Sequence, residues 1–462
     1  MTLIKSISGI RGTIGGPTGD NLTPLDALKF ASAYGQWLRA RFPGERLRVV
    51  LGRDARPSGP MVAGAVKAGL TGMGIDVWDL DLSTTPTVEM AVPGLEAHGG
   101  IILTASHNPV EWNALKLLNE RGEFLSAEDG RRILEYASAE DFDYVPVDQL
   151  GKIIPVAGGY IDEHIQRILE LPLVDRDAVA SAGFRVAVDA VRSTGGLAVP
   201  RLLEALGVDY VCLYCEPTGK FPHNPEPLEK NLGDIMRAVP ALQADLGIVV
   251  DPDVDRLALI DEKGRMFGEE YTLVAVADYV LQHTPGAAVS NLSSSRALRD
   301  VASRYGQPYY ASAVGEVNVV KKMKETGAVI GGEGNGGVIY PALHYGRDAL
   351  AGIALLLTYL AKSGKRLSAL KTQYPLYYMA KEKWRLSPGM DMQAVLDRFA
   401  AMHQGAEINT EDGVKVDYPG YWIHLRRSNT EPIIRVYVEA SSPEEADRIA
   451  RETLSQLQQI IA

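Results

Sequence analysis

Residues 47–81 read LRVVLGRDARPSGPMVAGAVKAGLTGMGIDVWDLD. An apolar β-branched run gives way to a polar turn containing Ser58, then a helix-like stretch, then glycine and a second strand. The same order returns at 184–214, FRVAVDAVRSTGGLAVPRLLEALGVDYVCLY, and at 287–312, AAVSNLSSSRALRDVASRYGQPYYAS. A βαβ unit of roughly 30 residues makes a right-handed parallel crossover, so each copy is expected to seed its own α/β sheet. Long inserts between the copies favour three similar mixed-sheet α/β domains over one large sheet. From Lys381 the rhythm changes to KEKWRL, MQAVLDRFAAMHQ, strands around Gly413 and Gly420, then IIRVYVEA and PEEADRIARETLSQLQQII. That pattern predicts a smaller C-terminal α+β domain. The expected divisions are 1–152, 153–254, 255–370 and 371–462.

The composition narrows the class. Of 462 residues, 46% are hydrophobic and 23% charged, enough apolar surface to offset the entropy of ordering a chain. Lys plus Arg number 47 against 58 Asp plus Glu, a net charge of -11 with no basic stripe. Dedicated nucleic-acid binding is therefore not expected. No stretch approaches the apolar length that spans a bilayer, and MTLIKSISGIRG lacks a signal-peptide core, so no membrane association and a cytoplasmic location are expected. Cys212 and Cys215, the two cysteines, sit in the apolar run VCLYC and are expected as buried or half-buried free thiols on opposite faces of a strand.

Four loops carry chemistry. Thr104-Ala105-Ser106-His107-Asn108-Pro109 follows the strand GGIILTA, at the carboxyl edge where α/β sheets place ligands. Neither a Ser-His-Asp triad nor G-x-S-x-G surrounds Ser106, so hydrolysis is disfavoured. Asp251-Pro252-Asp253-Val254-Asp255-Arg256 lies between the strands LGIVV and LALID. Its carboxylates, spaced by two, are expected on one side of an extended backbone, where they repel unless a cation sits among them. All-oxygen ligation selects Mg²⁺ or Ca²⁺. An EF-hand fails, because Arg256 occupies its glycine position and strands flank the loop.

The third loop, Gly331-Gly332-Glu333-Gly334-Asn335-Gly336-Gly337, lets backbone approach a ligand, and Glu333 and Asn335 suit sugar hydroxyls. It lacks the following helix that a dinucleotide or P-loop motif needs. The fourth, Arg426-Arg427-Ser428-Asn429-Thr430-Glu431-Pro432 with Arg435 beyond it, gathers guanidinium, hydroxyl, amide and N–H donors into a phosphate cradle.

Taken together and in this order, T-A-S-H-N-P, D-P-D-V-D-R, G-E-G-N-G and R-R-S-N-T-E-P resemble the α-D-phosphohexomutase superfamily over nearly the whole chain. The resemblance implies three similar α/β domains and a smaller fourth around a central cleft. It implies Ser106 as phosphoryl carrier and fourth metal ligand, and Mg²⁺ on Asp251, Asp253 and Asp255. Sugar would be read by Glu333 and Asn335, and phosphate bound by Arg426, Ser428, Asn429, Thr430 and Arg435. G-I-R-G places Arg11 where the family has an active-site arginine, and Leu115-Lys116 matches a family lysine. The loop differs from the G-E-M-S-G-H of many bacterial members in Asn335 and Gly337, a form similar to archaeal-type phosphoglucosamine mutases and related phosphomannomutases. Ala114 stands where glycine is common.

The activity so implied is exchange between hexose 6-phosphate and hexose 1-phosphate through a phosphoserine and a 1,6-bisphosphate, which also acts as activator. Glucosamine phosphate is the favoured substrate, with phosphomannomutase/phosphoglucomutase activity as the alternative. Arg11 and Arg256 would counter phosphoryl charge, and Lys116 or His107 would move the hydroxyl proton. Two rival readings fit less of the sequence. A haloacid-dehalogenase-type phosphotransferase would use Asp251 as nucleophile but leaves three loops unexplained. A silent sugar-phosphate-binding protein would need no Ser106. The partner is a small-molecule hexose phosphate, and the chain is expected as a monomer or homodimer.

Overall fold

The computed structural model describes residues 2–6, 9–385, 391–427 and 433–461. They form two compact units, one of 1–279 with 335–371 and one of 280–334 with 372–462.

In the first unit, the stretch 47–81 becomes strand Arg48–Arg53, helix Gly59–Gly72 and strand Asp76–Leu82, the strands parallel with Arg48 opposite Asp76. Alternation along the first strand sends Val49 and Leu51 to one face and Val50 to the other. Phe30, Tyr34 and Leu38 of helix Pro24–Arg41 cover the first face together with Val62, Val66 and Leu70. Val88 and Val92 of helix Thr85–Gly94 cover the second. Truncating Leu51 to alanine removes a fully enclosed side chain and should cost about 2–5 kcal/mol. The sheet runs in the order Ile4–Ser6, Gly9–Thr13, Trp112–Leu118, Gly99–Leu103, Arg48–Arg53, Asp76–Leu82, Ile153–Pro155. Gly99–Leu103 is parallel to Arg48–Arg53 and antiparallel to Trp112–Leu118, so the turn joining it to Trp112 emerges at one strand end.

A second sheet of this unit has the order Leu257–Asp261, Leu246–Val250, Arg185–Asp189, Asp209–Leu213. Leu246–Val250 is parallel to Arg185–Asp189, and antiparallel to Leu257–Asp261. The loop 251–256 is therefore the connection of a hairpin between two wholly buried strands. Asp209–Leu213 is an edge strand, which leaves Cys212 exposed and only Cys215 half-buried. The expectation of a buried or half-buried thiol fails at Cys212, because hydrophobicity alone did not reveal that its strand lies at an edge.

The second unit contains the third α/β repeat, with strands Tyr309–Ser312, Ala288–Asn291 and Ile330–Glu333 in parallel array. Its remaining part is an antiparallel sheet in the order Tyr378–Arg385, Ile433–Ala440, Trp422–Arg427, Val414–Asp417, Glu407–Asn409. Helices Met392–Met402 and Pro443–Ile461 pack on it through Phe399, Ile449 and Leu457.

Candidate active site

Ser106 follows the carboxyl end of strand Gly99–Leu103 and has φ 49°, a left-handed backbone rarely adopted by a residue with a side chain. The loop is over-determined around it. Ser106 N–H donates to Thr104 Oγ1 at 2.9 Å, and that hydroxyl donates to Asp54 Oδ2 at 2.7 Å. Fully buried Arg56 pairs through Nε with Asp54 Oδ2 at 2.9 Å. Its other nitrogens donate to the carbonyls of Ser106 (2.6 Å), Asn108 (2.7 Å) and Trp112 (3.0 Å), and to that of Pro109. One guanidinium thus holds four carbonyls of the loop, more than an ammonium group could reach in a fixed plane.

The hydroxyl of Ser106 donates to Asp251 Oδ2 at 2.8 Å, joining the first loop to the second. The second loop is a tight turn rather than the extended run anticipated from its spacing. Val254 N–H donates to the Asp251 carbonyl, Val254 has φ 65°, and the N–H groups of Asp255 and Arg256 donate to Asp251 Oδ1 at 3.2 and 3.1 Å. The turn, not strand alternation, makes the carboxylates converge. Ser193 and Thr194 hydroxyls both donate to the Pro252 carbonyl and hold the turn from below.

All three aspartates are fully buried, and one oxygen from each lies within 4.8 Å of the others. Burial, with Asp255 and Asp253 alongside, pushes the Asp251 carboxyl well up. Burial works in the same direction on Asp255, yet Arg347, Lys116 and Arg256 hold it below the carboxylate range. Lys116 Nζ donates to Asp253 Oδ2 at 2.6 Å and Asp255 Oδ2 at 3.4 Å, and these carboxylates raise it against the lowering effect of burial. Arg347 Nη2 donates to Asp255 Oδ2 at 2.8 Å, and Thr85 Oγ1 to Asp253 Oδ2 at 2.5 Å. The remaining oxygens, Asp253 Oδ1 and Asp255 Oδ1, are buried without a hydrogen-bond partner among the described residues. Two orphaned anionic oxygens on a converging carboxylate set fit a hard divalent cation.

His107 Nδ1 lies 3.4 Å from Ser106 Oγ. Burial, then the nearby guanidiniums of Arg256, Arg347 and Arg11, push this imidazole well below its usual range and keep it neutral at pH 7. Arg11 stands on strand Gly9–Thr13, opposite Ala114. The first unit therefore assembles Ser106, His107, Arg11, Lys116, Arg256 and the three aspartates. Sequence reasoning missed Arg56, Thr85 and Arg347. Arg56 had a signal, since it sits in the quoted R-D-A-R turn at a strand's carboxyl end, whereas Arg347 reaches Asp255 across 92 residues of chain.

The other predicted groups divide between the units. Asn335 belongs to the first, where its Oδ1 accepts from Gly337 N–H at 3.2 Å. Glu333 belongs to the second, buried, with Oε1 accepting from Asn291 Nδ2 (2.9 Å) and Gly315 N–H (3.2 Å). Those donors fix its orientation. Arg426 and Arg435 stand directly opposite each other on antiparallel strands, a like-charge pair that an anion would relieve. Arg426 Nε is buried and unpaired among the described residues, and Arg435 Nη1 donates to the Tyr437 hydroxyl at 3.3 Å. Ser428, Asn429 and Thr430 lie outside the described residues.

Among the described residues no helix is long and apolar enough to cross a membrane. Four family models match the chain in order: phosphoglucomutase/phosphomannomutase α/β/α domain I over residues 3–144, domain II over 162–264, domain III over 268–377, and the C-terminal domain over 382–456. A phosphoglucomutase/phosphomannomutase of Thermococcus kodakarensis is 38% identical over 441 residues, covering 94% of this chain and 95% of that protein. A probable phosphoglucosamine mutase of Methanopyrus kandleri is 34% identical over 453 residues, covering 96% and 95%. Among solved structures, a phosphoglucomutase/phosphomannomutase family protein from Burkholderia thailandensis superposes with a TM-score of 0.86 at 28% identity, over 99% of this chain and 97% of that one. With all four domains matched in order, the chain belongs to the α-D-phosphohexomutase superfamily, within its phosphoglucomutase/phosphomannomutase family of isomerases.

Proposed function

We propose that the chain interconverts hexose 6-phosphate and hexose 1-phosphate, carrying the phosphoryl group on Ser106 and passing through a 1,6-bisphosphate, with glucosamine phosphate as preferred substrate. The observation that carries this reading is the 2.8 Å hydrogen bond from the Ser106 hydroxyl into the acidic triad. Hydrolysis needs no serine there, and binding alone needs neither.

In the forward half-reaction a hydroxyl oxygen of the bound sugar forms a bond to the phosphorus of phosphorylated Ser106. The bond from phosphorus to Ser106 Oγ breaks, and the hydroxyl proton passes to His107, whose imidazole is neutral, while Lys116 is held as an ammonium by Asp253 and Asp255. The bisphosphate then turns over, and its other phosphate returns to Ser106 as the proton goes back. Asp251, Asp253 and Asp255 with Ser106 would hold Mg²⁺, which supplies positive charge to the phosphoryl oxygens when bound. Arg11 and Arg256 add fixed cationic charge beside it, so alignment and electrostatics supply most of the rate. Glu333 and Asn335 read sugar hydroxyls. Arg426, Ser428, Asn429, Thr430 and Arg435 grip whichever phosphate is distal to the reaction.

The test measures kcat/KM for glucosamine, mannose and glucose phosphates with 1,6-bisphosphate present, alongside intact mass before and after phosphatase. Wild type should lose one phosphate mass on phosphatase treatment, and Ser106→Ala should carry none and lose turnover by at least about 10³-fold. Near wild-type turnover in Ser106→Ala would end the phosphoserine reading. A second reading, phosphomannomutase/phosphoglucomutase, is favoured by the name of the 38%-identical Thermococcus relative. If glucosamine phosphate is the poorest of the three substrates, that reading replaces the first.

A further inference from the structure

Three segments distant in the chain bring another set of ionisable side chains together inside the first unit. His164 stands on helix Ile161–Leu169, Asp348 caps helix Ala349–Ser363, and His344 lies in the loop leading to that cap. The Nε2 atoms of both imidazoles meet the same oxygen, Asp348 Oδ2, at 2.8 Å from His164 and 3.2 Å from His344. Each ring is held from behind as well. His164 Nδ1 lies 3.0 Å from Thr87 Oγ1, and His344 Nδ1 lies 3.5 Å from Glu89 Oε2. The side chains of His164, Asp348 and Glu89 are buried, and that of His344 keeps 12% exposure. A Cβ on Gly346 would fall 1.9 Å from Glu89 Oε2, so the chain needs glycine to pass this carboxylate.

The donors are arranged as metal ligands are. Asp348 accepts from the Leu350 and Ala351 N–H groups through Oδ1 and turns Oδ2 toward both imidazoles. A divalent cation between the two Nε2 atoms and Asp348 Oδ2 would take one lone pair from each. Each ring then turns its Nδ1–H outward, to Thr87 and to Glu89, as metal-bound histidines commonly do.

We propose that His164, His344 and Asp348 form a binding site for a borderline first-row cation, Zn²⁺ by the chemistry of its donors, separate from the all-oxygen triad. Their ligand atoms lie within 4.8 Å of one another, compatible with a compact coordination sphere. The ion would tie helix Thr85–Gly94, through Thr87 and Glu89, to helix Ile161–Leu169 and to the start of helix Ala349–Ser363. Both grips on the triad issue from these pieces, since Thr85 opens the first helix and Arg347 precedes Asp348.

The experiment is elemental analysis of full-length protein purified without chelators, followed by Zn²⁺ titration of the chelated protein. About one zinc per chain is expected in wild type and in Asp253→Asn, and affinity should fall at least about tenfold in His344→Ala. Co²⁺ replacing the zinc should give visible absorption bands that His344→Ala lacks. Should that variant fail to fold, anomalous scattering at the zinc edge from wild-type crystals must peak between His164 and His344. A wild-type protein that retains no zinc and titrates with none would overturn the site. So would zinc that is lost in Asp253→Asn but kept in His344→Ala, since that ion would belong to the triad.

Discussion

The acidic triad and the imidazole cluster are two convergences of ionisable groups in one compact unit, built in opposite ways. The triad comes from five successive residues, 251–255, and brings like charges together in a hairpin turn with a left-handed valine at its corner. Two of its buried oxygens have no hydrogen-bond partner among the described residues. The cluster comes from three remote segments and sets imidazoles against carboxylates, each ring contacted on both sides. Repulsion in the first is a standing demand for a cation, and in the proposed function that cation serves phosphoryl transfer. Attraction in the second joins helices. One region gives up stability for chemistry, and the other holds the frame that makes this tolerable.

That contrast breaks or sharpens under substitution. The largest effect is expected at Asp251→Asn, where turnover should fall by about 10²–10³-fold while the chelated protein melts no lower than wild type, because a carboxylate disfavoured by burial and by Asp255 and Asp253 has lost its charge. A matching loss of melting temperature would show that the triad is structural after all. His164→Ala should reverse the profile, costing about 1–3 kcal/mol in denaturant titration by taking one of two imidazoles from a buried carboxylate, with the folded fraction keeping turnover within about tenfold of wild type. Arg347→Met removes the guanidinium from Asp255 and should cost about 1–3 kcal/mol in EDTA. Saturating Mg²⁺ should recover much of that loss, since a cation in the triad replaces the missing charge, and melting curves with and without Mg²⁺ decide it.

The last test is a reference inside the second unit. Burial lowers the His424 imidazole to about 4, and its neutral ring bonds Ser293 Oγ and the Asp412 carbonyl. The unfolded ring takes a proton near pH 6.5 and the folded ring only near 4. Its contribution is therefore complete above pH 6.5 and lost as pH falls toward 4, at about 1.4 kcal/mol per pH unit. His424→Gln should flatten that slope relative to wild type in unfolding titrations across the same range.

What the amino-acid sequence made legible was whatever is local. The repeat beginning at Leu47 foretold parallel strand–helix–strand units at 48–82, 185–213 and 288–312, because hydrophobic periodicity is a short-range property. The Ser106 loop and the Asp251–Asp255 loop were legible because each packs its polar groups into a few consecutive residues. Long-range matters were not. The convergence of Asp251, Asp253 and Asp255 was expected from strand alternation, but it comes from a turn whose corner, Val254, is a residue type that normally avoids such a backbone. Nothing local ties Arg347 to Asp255 or His164 to Asp348, partners 92 and 184 residues apart. The edge position of the Cys212 strand was hidden for the same reason, being decided by which strands pair.

The left-handed backbone at Ser106 has an evolutionary consequence. Threonine, the other hydroxyl residue that could carry a phosphoryl group, is β-branched and ill suited to φ 49°. The residues most at ease there are glycine and asparagine, and neither offers a hydroxyl. If Ser106 carries the phosphoryl group as proposed, point mutations that relax this loop silence the carrier, and threonine strains the loop. With Arg56 clamping the Ser106 carbonyl and those of Asn108, Pro109 and Trp112 beyond it, this loop has no gradual route away from serine: it keeps the strained residue or loses the proposed carrier in a single step.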